Sequence, residues 1–146
     1  MNDHRKMNRL LAALALSIEV VQVVTAQQSN IKEQAIALAQ AQLDAYNARD
    51  IDAFLEPYSD SVKIYNFPHQ LSFSSKEDMR PRYGNMFEQL TDLHCELVNR
   101  TAIGNVVIDH ERVTRRKGQP KVEVFAIYHI RHGKIQEVHF VRPEKQ

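Results

Sequence analysis

From residue 93 onward the chain alternates apolar and polar side chains in four runs, and this constrains its fold more than any other feature. The runs cover residues 93–101, 106–115, 121–131 and 134–142, each long enough for a strand. The gaps between them carry Ile103-Gly104-Asn105, Lys117-Gly118 and His132-Gly133. Glycine reaches the left-handed backbone region that tight hairpin turns require, so neighbouring runs pair antiparallel. A four-stranded meander has one apolar face to bury, and the residues before it must supply the cover.

Those earlier residues read as helices around one further strand. In residues 30–48, Ile31, Ala35, Leu38, Leu43 and Tyr46 fall on one helix face, and Asn30 with Glu33 has the spacing of a capping box. Asp50 is placed to cap a short helix in IDAFLEPY, which Pro57 ends. A strand follows at 61–67, with Val62, Ile64 and Asn66 on one face and Lys63, Tyr65 and Phe67 on the other; Pro68 stops it. A short strand, LSF, precedes a helix over 75–90 that Ser74 and Glu77 open as a second capping box. Met79, Tyr83, Met86, Phe87 and Leu90 form its apolar face, and Pro81 predicts a kink. Helices first and strands last is an α+β order. A curved, mainly antiparallel sheet wrapped over the early helices makes a cone with one pocket.

At 146 residues the chain is one domain's worth. Nineteen lysines and arginines against eighteen aspartates and glutamates leave no surplus to hold a phosphate backbone or an anionic bilayer, which argues against nucleic acid or a membrane as partner. The lone cysteine, Cys95, excludes an intrachain disulfide and a cysteine-based zinc cluster; its strand position reads as a small buried hydrophobe. Residues 1–26 differ from the rest. MNDHRKMNR is basic, LLAALALSIEVVQVV is largely apolar despite Glu19, and Val24-Thr25-Ala26 sets small residues before polar QQSN. That is the order of a secretory signal peptide, so the expected mature domain is 27–146, periplasmic or secreted. The alternative is an amphipathic helix that stays on a cytoplasmic protein.

The run AQLDAYNARDIDAFLEPYSDSVKIYNFP resembles the opening of nuclear transport factor 2-like (SnoaL-like) proteins, and AIYHIRHGKIQEVHF resembles their ending. Between them, LHCELVNRTAIGNVVIDHERVT is similar to bacterial members related to steroid isomerases. The resemblance covers nearly everything after residue 30 and implies a cystatin-like cone, a homodimer built sheet against sheet, and a pocket for a small-molecule ligand. It implies no single activity, because this fold hosts isomerases, cyclases, hydrolases and binding modules. Ketosteroid isomerase chemistry takes a carboxylate base and an oxyanion hole made by a tyrosine and a protonated aspartic acid. Matching the helix and the AsnAlaArgAsp turn puts Gln42 at the tyrosine, Asn66 at the base, and Ala126 or Phe125 at the acid. Asparagine takes up no proton at useful pH and alanine offers no hydrogen bond, so the resemblance implies the fold without that mechanism.

The polar residues of the meander give the remaining candidates. A two-residue turn at Lys117-Gly118 sets Val113 opposite Val122, Glu111 opposite Val124, Asp109 opposite Ala126 and Val107 opposite Tyr128. Val122, Val124, Ala126, Tyr128 and Ile130 make the apolar face, so this register turns Asp109 and Glu111 inward, where desolvation raises a carboxyl pKa. A slip of one residue turns His110 inward instead. The triplet Asp109-His110-Glu111 is therefore the catalytic candidate in either register, although its charges can instead pair with Arg100 or Arg112. Tyr128 is a candidate donor to a bound carbonyl, Asn66 a candidate to orient it, and Arg142, beside Val138 and Phe140, a candidate to hold an anionic ligand. A tethered core tyrosine and a snorkelling arginine are the structural alternatives. The histidines show no HExxH pair or close His–Cys spacing, and no P-loop, GxSxG elbow or dinucleotide fingerprint occurs, so neither metal nor cofactor is expected. His129 and His139 fall on one outer face, with Phe125, Ile127, Ile135 and Val141 as apolar residues for a homodimer to cover. Three readings result: a cofactor-independent acid–base enzyme on a small apolar substrate, an exported ligand-binding module, or a dimeric interaction protein with a filled pocket.

Overall fold

The computed structural model describes the backbone of residues 3–143 and the side chains of residues 22–143. Helices α1 (Asp3–Ala48) and α2 (Ile51–Leu55) lead into β1 (Tyr58–Asn66), β2 (Gln70–Phe73) and α3 (Lys76–Gln89). The strands β3 (His94–Ile103), β4 (Val106–Thr114), β5 (Val122–Arg131) and β6 (Lys134–Val141) follow. All six strands form one sheet in the order β2-β1-β6-β5-β4-β3. Every neighbouring pair is antiparallel except β1 with β6, whose long connection through α3 and the meander allows a parallel pairing.

The hairpin turns set the register. Around Lys117-Gly118, Val113 pairs with Val122, Glu111 with Val124, Asp109 with Ala126 and Val107 with Tyr128. Between β5 and β6, His132 and Gly133 have φ of 53° and 69°, the primed turn geometry whose twist matches that of paired strands. One expectation for β6 is corrected. Ile135 has no exposed surface and lies in the core, not on the outer face. In the β5–β6 ladder His129 pairs with Glu137 but Ile130 pairs with Ile135, so Gln136 is an extra residue that reverses the alternation. Val122 is likewise 36% exposed, because it sits where β5 runs out at the open end of the sheet.

Helix ends are built from named side chains. Asn30 is interior to α1 rather than its cap, and its Oδ1 accepts from Gln34 Nε2 at 2.7 Å. Residues 22–34 are exposed; burial begins at Ala35 and recurs at Ala39, Gln42, Leu43 and Ala45, a single stripe against the sheet. The helix closes with Arg49 at a φ of 56°: Arg49 N–H donates to the Tyr46 carbonyl and Asp50 N–H to the Ala45 carbonyl. The Asp50 carboxylate then accepts from the Asp52 and Ala53 N–H groups and opens α2. The cap of α3 lies one residue later than the Ser74–Glu77 spacing predicts. Ser75 Oγ accepts from Asp78 N–H, and the Asp78 carboxylate accepts from Ser74 N–H and Oγ. Pro81 lies inside α3, where it has no N–H to donate to the Glu77 carbonyl one turn earlier.

Phe54 of α2 is the hub that joins the helices to the sheet. Its ring centroid lies 5.9 Å from Tyr46, 5.4 Å from Tyr58, 4.7 Å from Tyr83 and 5.5 Å from Phe87, in tilted and edge-on geometries. Asn47 ties α1 to the edge strand: its Nδ2 donates to the Cys95 carbonyl at 2.9 Å, and Cys95 N–H donates back to its Oδ1 at 2.7 Å. Between these aromatic rings and the inner face of β4 and β5 lies a hollow of about 520 Å³.

Candidate active site

The hollow is closed at one end and open at the other. Buried Gln42, Phe54, Tyr58, Glu111, Val124 and Tyr128 line its floor, while exposed Leu71, Arg82, Arg115 and Arg142 form its lip. Glu111 is the carboxylate among the described residues that line it. The β4–β5 register carries this residue inward opposite Val124, and it is 5% exposed.

Burial pushes the Glu111 carboxyl from its ordinary 4.5 up to about 7. The hydrogen bond from Tyr128 acts in the opposite direction, and the Asp109 charge adds to the rise. Tyr128 Oη donates to Glu111 Oε1 at 3.0 Å, Gln42 Nε2 donates to Tyr128 Oη at 2.9 Å, and Tyr58 Oη donates to Gln42 Oε1 at 3.2 Å. This chain has a direction. A phenol carries one proton, and the Tyr128 proton is committed to Glu111 because Gln42 fills the other side of the same oxygen. The Cys95 thiol is a second hydrogen-bonding neighbour of the carboxylate. Burial holds the Tyr58 and Tyr128 phenols far above their ordinary pKa, so both stay neutral donors. It also raises the Cys95 thiol, with Glu111 adding to the effect, so this cavity-lining cysteine carries no thiolate for nucleophilic attack.

The three candidates in Asp109-His110-Glu111 separate in the structure. Asp109 has no exposed surface, and Arg100 grips it through Nε–Oδ1 and Nη2–Oδ2, both 2.7 Å. Arg100 Nη1 also reaches Gln40 Oε1 at 2.7 Å, so the pair fastens β3 and β4 to α1 outside the hollow. His110 faces the opposite side of the sheet, as strand alternation requires; its ring stacks on Phe125 at 4.7 Å and its Nε2 bonds Glu123 Oε2. Glu111 alone of the three reaches the cavity.

Asn66 and Arg142 both reach the lip, on the adjoining ends of β1 and β6. Arg142 Nη1 donates to Asn66 Oδ1, and Asn66 Nδ2 donates to Ser72 Oγ at 2.9 Å. The amide thus positions a guanidinium. Tyr58, Arg82 and Arg115 also line the cavity although no sequence pattern singles them out: Tyr58 opens β1 ahead of the alternating run, and the two arginines read as surface charges. On the outer face, His129, Glu137 and His139 bring their donor atoms within 4.8 Å of one another. His139 Nε2 already bonds Glu137 Oε1 at 2.6 Å, and its ring stacks on Tyr65, so a cation there would have to break an existing contact.

The family model of the SnoaL-like domain matches residues 39–138. The chain belongs to the SnoaL-like domain family. No curated protein matches it. Solved structures share the architecture of this SnoaL-like domain. An uncharacterized cystatin-fold protein from Novosphingobium aromaticivorans is 28% identical, with a TM-score of 0.67 over 74% of this chain and 97% of its own. An LEH-like epoxide hydrolase from M. tuberculosis is 16% identical, with a TM-score of 0.66 over 77% of this chain and 84% of its own. A proposed ketosteroid isomerase from Kribbella flavida is 19% identical, with a TM-score of 0.64 over 79% of this chain and 82% of its own. The last two likenesses are of fold alone, within the nuclear transport factor 2-like, cystatin-like architecture. At the positions matched to the isomerase residues this SnoaL-like domain has Gln42, Asn66 and inward-facing Ala126, and its cavity carboxylate comes from β4 instead.

Proposed function

We propose that the protein is a cofactor-independent enzyme that moves a proton on a small, largely apolar substrate, with Glu111 as the proton carrier. The observation that carries this reading is a carboxyl held near pH 7 in the floor of a hollow otherwise lined there by rings, aliphatic side chains and amide or hydroxyl groups. A group whose pKa sits at the working pH serves equally as base and as acid. As a carboxylate, Glu111 takes a proton from a substrate carbon or from an attacking water; as an acid, it gives one back. Tyr128 is a positioning residue that holds the carboxylate, and Gln42 and Tyr58 hold Tyr128 in turn. A hollow of about 520 Å³ suits a ligand of modest size. Isomerisation and epoxide opening, the reactions named for two structural relatives, are both within reach of one such proton carrier.

Segment 22–34 buries no residue, which supports removal of residues 1–26 as an export signal and a periplasmic or secreted domain at 27–146. Intact mass of the exported protein tests this, and an uncleaved chain rejects it. Exposed Phe125, with half-buried Ile127 and Val141 on the same outer face, supports a homodimer built sheet against sheet. A monomer in light scattering at micromolar concentration rejects that.

The catalytic reading is tested by comparing wild type with Glu111→Gln on two panels: deuterium exchange next to the carbonyl of apolar ketones, and hydration of apolar epoxides. Wild type is expected to turn over members of one panel with an apparent pKa near the value of about 7 given by burial, and Glu111→Gln to lose turnover while keeping affinity. Equal rates for both proteins on every compound consumed reject Glu111 as the carrier. A ligand retained by both without turnover makes the protein a binding module.

A further inference from the structure

We propose that the lip of the cavity is an oxyanion subsite, and that the ligand is an amphipathic carboxylic acid: an apolar body inside, with its carboxylate held at the mouth by Arg82, Arg115 and Arg142. This deepens the Glu111 reading and rests on the cavity being a ligand site. The three arginines come from three elements, Arg82 from α3, Arg115 from just beyond β4 and Arg142 from just beyond β6, and all three line the same hollow from exposed positions. Among the described residues no carboxylate pairs with any of them, whereas Arg80, Arg100 and Arg112 each have an acidic partner.

Two of the three are oriented by uncharged groups. The Arg142 guanidinium lies 5.3 Å from the Phe140 ring and donates to Asn66, and the Arg82 guanidinium lies 5.8 Å from the Phe73 ring. A ring face or an amide holds a guanidinium without cancelling its charge, which leaves its remaining N–H groups for a planar anion. The charges of Arg82 and Arg142 both bear on the Tyr83 hydroxyl and that of Arg115 on the Tyr46 hydroxyl, so positive charge flanks two sides of the mouth.

Charge along the cavity therefore runs from a protonatable carboxyl at the floor to three fixed positive charges at the lip. An acid entering carboxylate-first would set its charge against Glu111. Entering body-first, it meets Phe54, Val124 and Tyr128 with its apolar part and leaves its carboxylate among the arginines. The gradient selects the second orientation and brings a carbon of the apolar body, rather than the acid group, to Glu111.

Calorimetric titration with decanoate, decyl phosphate and decan-1-ol at about pH 6.5, where the probe acid is ionised, tests the proposal. Wild type is expected to bind decanoate about tenfold or more tighter than decanol, and added salt to narrow that margin. The triple variant Arg82→Gln/Arg115→Gln/Arg142→Gln is expected to lose the margin and keep its decanol affinity, with an unchanged circular dichroism spectrum. Equal affinities for decanoate and decanol, or a margin that survives the triple variant, overturn the subsite and leave the Glu111 reading standing. Tighter binding of decyl phosphate than of decanoate overturns the carboxylate assignment in favour of a phosphate. Failure of all three probes to bind overturns the cavity as a ligand site, and both readings with it.

Discussion

Replacing Glu111 with glutamine measures the burial of this carboxyl without any substrate. In the unfolded chain the group returns to its ordinary 4.5, and in the fold it titrates near 7. Between those two values the folded state keeps a proton that the unfolded state has released, so stability falls as pH rises, by about 1.36 kcal/mol per pH unit. The stability of the neutral form is fully present below 4.5. Above 7 both states are ionised, and the loss levels off at about 3 kcal/mol. Glutamine has the same shape, accepts the same hydrogen bond from Tyr128 and never ionises, so Glu111→Gln lacks this dependence. Urea denaturation of both proteins at steps from about pH 4 to about pH 8.5 isolates it, since other titrating groups cancel in the difference. The advantage of Glu111→Gln over wild type should grow by about 3 kcal/mol across the window and then stay constant. A difference that does not change with pH, or changes only below 4.5, would mean that the carboxyl is solvated in the fold, and the acid–base role would lose its basis.

Two further substitutions probe the neighbours of that residue. Arg100→Met leaves Asp109 buried and unpaired and should cost about 3–5 kcal/mol in urea denaturation. Adding Asp109→Leu should recover most of that loss, and a double variant no more stable than the single one would refute the account. Tyr128→Phe removes the hydrogen bond that pulls Glu111 down and takes from Gln42 Nε2 one of its two acceptors, the other being the Ala39 carbonyl. Glu111 should then titrate above its wild-type midpoint by carbon-13 NMR, at a cost of about 1–3 kcal/mol in stability. An unmoved or lower midpoint would show that Tyr128 does not engage the carboxylate.

The lining of the cavity comes from elements far apart in the chain. Gln42 lies on α1, Tyr58 on β1, Glu111 on β4 and Tyr128 on β5, and each reaches the same small volume only once the sheet has bent over the helices. The rings around Phe54 line the same hollow as Glu111, whose carboxyl is raised by burial. Tertiary packing thereby places the rings of α2 and α3 beside the proposed proton carrier on β4.

Residue order alone determined the strands and the glycine turns, and it left two β4–β5 registers, one with Asp109 and Glu111 inward and one with His110 inward; the assembled sheet has the first. These are local matters: a period of two and a left-handed turn are settled by near neighbours. What divided the two carboxylates was not local. In the β3–β4 ladder Leu97 pairs with Glu111 but Asn99 pairs with His110, so Val98 is an extra residue, and Arg100 falls opposite Asp109 as a result. The bulge at Gln136 turned Ile135 into the core in the same way. No alternation rule places a bulge, because its position depends on how the strand bends over the helices beneath it. Nor does the sequence say that Gln42 stands between two tyrosines, or that three surface arginines line one cavity. Burial and charge are set by whatever else occupies the surrounding volume, and only the assembled fold supplies that.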